Sequence, residues 1–212
     1  DYAYYLIHSM RENNNEFVQK DQIAAKNFRD AAERCGVKRI IYLGGLGEKN
    51  DRMSSHLRSR REVGQLLTQG SVPVIRVRAA IILGTGSASY ELMKAMIVNN
   101  RYIPFLSEFN SRCQPIAIRD VIKYLVGVME TPDLSSCIYQ VGCKDILTYK
   151  EMIQSFAKIL NRNVRFIDVS WVPFPVQWMC RVYACWLHCF IPIPINITSL
   201  LLNSLETDVI CT

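Results

Sequence analysis

Residues 38–60, KRIIYLGGLGEKNDRMSSHLRSR, restrict the fold more than any other stretch of this chain. A short β-branched and aromatic run, Arg39 to Leu43, breaks at Gly44, Gly45 and Gly47. A polar loop follows, and a helix opens near Ser54 and Ser55, carrying His56, Arg58, Ser59 and Arg60. A buried strand that runs into glycines and then into a polar-faced helix is how an open α/β sheet builds a ligand crevice, outside the carboxyl ends of its strands.

The flanking sequence repeats the pattern. Asp1–Met10 (DYAYYLIHSM) is apolar and aromatic, as a parallel strand covered on both faces should be, and His8 and Ser9 stand at its end. Between Phe17 and Cys35, apolar residues recur at Ala24, Phe28, Ala31 and Cys35, which is helical spacing, and Gly36 sits where a left-handed cap is wanted. The second helix should run from Ser55 to Gln69. Val74–Leu83 (VIRVRAAIIL) reads as one long strand, followed by Gly84, Gly86 and a helix capped by Ser87 that runs to Asn99. Free N–H groups at such a helix start favour an anionic group such as a phosphate, which makes Gly84 a candidate binding position. Arg78 lies inside the apolar strand, so it should be paired or at a strand end.

Further along, Arg101–Cys113 reads as irregular and Gln114–Ile118 as extended. A helix is expected from Asp120 to Glu130, a strand over Ile138–Val141, and a second strand over Val164–Val169. Thr148 and Glu151 make a capping box for a helix reaching Leu160. Residues 1–170 form the α/β part on this reading, and 171–212 form an apolar helical segment. That segment is interrupted by Arg181, His188, Pro192 and Pro194, so it reads as two helices, Pro175–Phe190 and Asn196–Leu205, rather than a span. They would dock on the core or a protein partner, with contact to a membrane surface as the lesser alternative.

The 25 basic and 19 acidic residues give a net charge of +6, scattered except for Arg52, Arg58, Arg60 and Arg61 with Lys49. A local arginine cluster suits an anionic small ligand, whereas a nucleic-acid binder needs a longer basic stripe and a reading motif, and neither is present. The eight cysteines have no framework spacing and are expected to be reduced thiols in a cytoplasmic setting. Cys185, His188 and Cys189 can share a helix face, but without a complete ligand set they read as core residues and no metal site is assigned.

Taken in order, AYYLIHSM, DQIAAKNFRDAAERCGVKRIIYLGGLG, SSHLRSRREVGQLL, VPVIRVRAAIILGTGSASYELM and CQPIAIRDVIKYLVG form a series that resembles the atypical short-chain dehydrogenase/reductase proteins. Within them it is most similar to the NAD(P)H-binding, NmrA-like and epimerase-like group, which also contains a respiratory complex I accessory subunit. The resemblance covers about Ala3 to Leu160. It implies a Rossmann-type doubly wound parallel sheet, NAD or NADP as cofactor, and a small-molecule substrate.

The family's GxxGxxG turn is missing from this sequence. The resemblance therefore implies a chain that begins at the family's fourth strand, with an unpaired sheet edge along Tyr2 to Ile7. The family's Tyr and Lys, four residues apart on the helix after its fifth strand, are matched here by His56 and Arg60. These two are the expected catalytic residues, facing the nicotinamide ribose. His8, Ser9, Gly44, Gly45 and Gly84 join them as expected cofactor contacts. Histidine can exchange a proton near neutral pH, while arginine can hold a ribose or a phosphate but cannot relay a proton. A non-catalytic dinucleotide-binding sensor or assembly protein is the alternative reading.

Overall fold

The computed structural model describes residues 1–7, 16–46, 55–105, 110–132, 135–169, 171, 178, 182, 185 and 208–211. Its centre is a parallel sheet of β1 (Tyr2–Tyr5), β2 (Arg39–Gly45), β3 (Val74–Ala79) and β8 (Cys137–Val141), in that order. The connections β1–α1 (Glu16–Arg34)–β2 and β2–α2 (Ser55–Leu67)–β3 are the expected βαβ units. Parallel strands buried on both faces need apolar side chains pointing both ways. On one face Tyr5, Ile40, Tyr42 and Val74 pack with Ala25 and Ala32 of α1 and Val63 and Leu67 of α2. On the other face Ile41, Ile75, Val77 and Ala79 pack with Val121 and Leu125 of α4 (Ile118–Glu130). Ile40, Ile41, Val74 and Ile75 are fully buried, each such side chain stabilising the fold by about 1.5–3 kcal/mol.

Gly36 has φ +63° and ends α1, as its position predicts. Arg39, almost fully buried, donates from Nη1 to the carbonyls of Val128 and Thr131, so a strand residue caps the C-terminus of α4. Among the described residues β1 pairs only with β2, and Tyr2, Leu6 and Ile7 are exposed along that side.

The expected long strand Val74–Leu83 is in fact two. β3 stops at Ala79, and β4 (Ile82–Leu83) leaves the central sheet to pair in parallel with β7 (Ile116–Ala117). The sequence carries no turn residue between Ala79 and Ile82 to signal this break. The stretch expected to be irregular holds β5 (Tyr102–Phe105), which pairs in parallel with β10 (Arg165–Asp168), and β6 (Arg112–Cys113), antiparallel to β9 (Leu147–Thr148). Pro104 is tolerated because β5 has one neighbour and stands at an edge. These small sheets, with α3 (Ala88–Asn99) and α5 (Tyr149–Ile159), enclose a second core of Leu92, Met96, Ile97, Ile103, Cys113 and Ile153. α5 opens with the expected Thr148–Glu151 capping box. Ser87 stands at the N-cap of α3, but its hydroxyl donates to the Ile82 carbonyl instead of capping the helix.

The two helices expected in 175–205 fall almost wholly outside the described residues. Among those described, no helix is long and apolar enough to cross a membrane.

Candidate functional site

α2 packs on the carboxyl end of β2, where the sequence leads one to expect a crevice. The β1–β2 ladder ends at Tyr5 opposite Tyr42, one residue before Leu43. Just past it, Arg60 donates from Nη2 to the Leu43 carbonyl at 2.9 Å, and the Tyr42 hydroxyl donates to the Arg60 carbonyl at 2.7 Å. Strand and helix are thus tied together by the strand's tyrosine and the helix's arginine. His56 lies in the first turn of the same helix, and its side chain is outside what the structure describes. His8 and Ser9 lie outside the described residues.

The glycines have packing causes. A Cβ on Gly45 would stand 2.8 Å from Leu57 Cδ2 and 3.6 Å from Arg60 Cδ, so the bare backbone lets α2 close onto the end of β2. At Gly44 the nearest atom to an added Cβ would be Cε1 of Tyr42, at 3.1 Å. Gly84 follows β4, and a Cβ there would meet Ile118 Cγ2 at 2.5 Å. Gly84 is therefore a contact point between its loop and the first residue of α4.

Burial holds the Tyr42 phenol above its ordinary pKa, with Arg60 acting in the opposite sense and Asp21 reinforcing the rise. It is a neutral donor at neutral pH. Asp21 accepts from the buried Ser59 hydroxyl at 3.2 Å, which joins α1 to α2. Arg60 Nε is buried without a hydrogen-bond partner. An orphaned guanidinium N–H at the carboxyl end of a parallel strand fits an anionic or hydroxyl-bearing ligand. The fit to a dinucleotide is limited to that end of the molecule, because no glycine turn able to cradle a pyrophosphate occurs in this sequence.

Two further arginines stand on β3 beside α2. Arg76 and Arg78 stand opposite Tyr42 and Gly44 in the β2–β3 register, on the face that carries α2. Arg78 was expected to be paired or at a strand end; it is the penultimate residue of β3, and among the described residues neither it nor Arg76 has an ion pair. Their signal was the alternation Arg-Val-Arg, which puts two charges on one face of a strand. Gln114 is taken up structurally. Its Nε2 donates to the Cys143 carbonyl, and its Oε1 accepts from the Cys211 N–H.

A parallel sheet with helices packed on both faces defines a Rossmann-like doubly wound α/β fold. Solved structures with this fold include a nucleoside-diphosphate-sugar epimerase of Staphylococcus aureus, 14% identical with a TM-score of 0.70 over 96% of this chain and 66% of that one. The UDP-glucose 4-epimerase of Thermotoga maritima, solved with UDP-glucose, is 13% identical with a TM-score of 0.64, over 79% of this chain and 63% of that one. The Bordetella bronchiseptica enzyme WbmG, in complex with NAD and UDP, is 13% identical with a TM-score of 0.63, over 78% and 58%. The chain spans between 58% and 66% of the length of these three. No protein-family model matches the sequence. No curated protein matches it either.

Proposed function

We propose that this chain is part of an NAD(P)(H)-binding oxidoreductase-like protein of the atypical short-chain dehydrogenase/reductase type. The observation that carries this reading is the crest of β2. There the end of the parallel strand, Gly45 and Arg60 of α2 meet, and the buried Arg60 Nε is left without a partner. The same fold holds NAD in the Bordetella bronchiseptica enzyme. Arg60 would hold a ribose hydroxyl or a phosphate, and His56 would exchange a proton with the substrate. The dinucleotide, when bound, supplies the hydride chemistry. Titration of the protein with NADH and NADPH, read by the change in nicotinamide fluorescence, tests this directly. Saturable binding that weakens about tenfold in Arg60→Ala is expected, and absence of binding by both nucleotides overturns the reading.

A specific observation favours the second reading, a non-catalytic dinucleotide-binding sensor or scaffold. Arg60 already spends one N–H on the Leu43 carbonyl and its own carbonyl on Tyr42, which is a structural use of the residue in the family's lysine position. His56→Ala separates the two. If turnover of NAD(P)H with a carbonyl acceptor is unchanged in that variant, His56 has no catalytic role. NADH binding without turnover by the unsubstituted protein favours the sensor.

A further inference from the structure

Arg76 and Arg78 alternate along β3, so both side chains rise from the same face of the sheet. On α2 above them, the Arg60 guanidinium reaches the Leu43 carbonyl of β2, and Arg61 lies near enough for its charge to act on both Arg76 and Arg78. Gly64 is what lets the helix come down here: a Cβ on it would stand 3.1 Å from Arg76 Cδ and 3.1 Å from Tyr42 Cε1. Four guanidinium groups therefore surround the Tyr42 side of α2, and the Nε atoms of Arg60 and Arg76 are both buried without an acceptor. The nearby carboxylates are already engaged, Asp21 by Ser59 and Glu62 by Gln22. Among the described residues none of the four arginines has an ion pair.

Bringing like charges together on a half-buried surface is costly. Arg76 and Arg78 are both held below the ordinary arginine pKa, first by burial and next by the charge of Arg61. A cluster that repels itself and offers orphaned donors is stabilised by a polyvalent anion. A carboxylate takes one guanidinium fork, whereas a tetrahedral phosphoryl group has enough oxygens to accept from several.

We propose that Arg61, Arg76 and Arg78 form a phosphoryl-binding site on the β3 face beside α2, with Arg60 at its border. This site does not depend on dinucleotide binding at the crest of β2. Its ligand class is a compound bearing a phosphate or diphosphate group.

The test uses the full chain and sodium pyrophosphate, with sodium chloride at matched ionic strength as the reference. Pyrophosphate should raise the melting temperature and bind saturably by calorimetry. Arg61→Gln, on the helix surface, should weaken that binding at least tenfold and leave NADH titration unchanged. In chloride alone the same variant should melt no lower than the parent, because it relieves repulsion. Arg78→Gln supplies a second loss at the other end of the cluster. A pyrophosphate effect no larger than that of chloride overturns the proposal. So does pyrophosphate binding that survives both substitutions, or a preference for polyglutamate over pyrophosphate, which would mark a protein-docking patch instead.

Discussion

Tyr42 on β2 donates its hydroxyl to the main-chain carbonyl of Arg60 on α2 at 2.7 Å, while the Arg60 side chain returns to the next strand residue, Leu43. The pair fixes how α2 sits against the crest of the sheet. Tyr42→Phe removes the hydroxyl, keeps the ring in its core, and leaves a carbonyl short of one donor. Urea unfolding should show a loss of about 1 kcal/mol, in the range of one hydrogen bond. The sign of the pH effect follows from the raised pKa of Tyr42. The bond is present below the ordinary tyrosine value near pH 10 and is lost as pH rises above it. An unchanged unfolding midpoint in Tyr42→Phe would show that the pair positions nothing.

Tyr5, in the same layer, should behave in the opposite way. Its ring packs edge-on against Phe28 at 4.9 Å, but its hydroxyl is buried without a partner. Burial, then Asp21 and Tyr42, push its pKa up to about 12. Ionisation is thus harder in the folded protein, and stability should fall as pH rises from about 10 toward 12. Tyr5→Phe removes an unsatisfied polar atom and keeps the contact area. The variant should be at least as stable at pH 7, with a shallower loss of melting temperature in alkali. A clear destabilisation at pH 7 would mean that the hydroxyl has a partner after all.

The contrast between these tyrosines marks the limit of what the residues alone could reveal. The β1–α1–β2–α2–β3 order was legible because β-branched runs, helical spacing and Gly36 are local signals that agree with the global fold. That residues 56 and 60 belong to one helix was legible for the same reason. The direction taken by the Arg60 guanidinium was not, since it depends on where the β1 ladder stops and frees the Leu43 carbonyl. Nor could the apolar run Val74–Leu83 betray its change of sheet at Ala79. Only its partner Ile116–Ala117, far along the chain, determines that break.

At the start of α5, Glu151 accepts from the Thr148 N–H and hydroxyl, and the Thr148 hydroxyl accepts from the Glu151 N–H. The Thr148 bonds hold the Glu151 carboxyl below its ordinary value. A lowered carboxylate pKa gives stability that is present above the unfolded value and lost as pH falls through the folded one. Glu151→Gln should flatten this part of the acid limb of thermal stability. Thr148→Ala should cost about 1 kcal/mol at pH 7, as loss of an N-cap does. An acid limb identical in parent and Glu151→Gln would show that the carboxylate is not the group titrating.

Gly84 gives the sharpest test of cofactor contact against packing. It was expected to present backbone to a phosphate, yet a Cβ there would meet Ile118 Cγ2 at 2.5 Å and Ile118 Cβ at 3.0 Å. Its φ is not in the left-handed region, so alanine is excluded by the neighbour and not by the backbone. Overpacking of this kind costs about 1–3 kcal/mol, and Gly84→Ala should lose that much. Ile118 is 41% exposed, so Ile118→Ala by itself should cost less. In the double variant the Cγ2 clash is gone, and the two effects should couple by about 1 kcal/mol or more in the favourable direction. Additive losses would mean that something other than Ile118 limits the space. If the folded double variant loses NADH binding while Ile118→Ala keeps it, Gly84 serves the cofactor as well as the loop. Packing alone predicts that both variants bind NADH as the parent does.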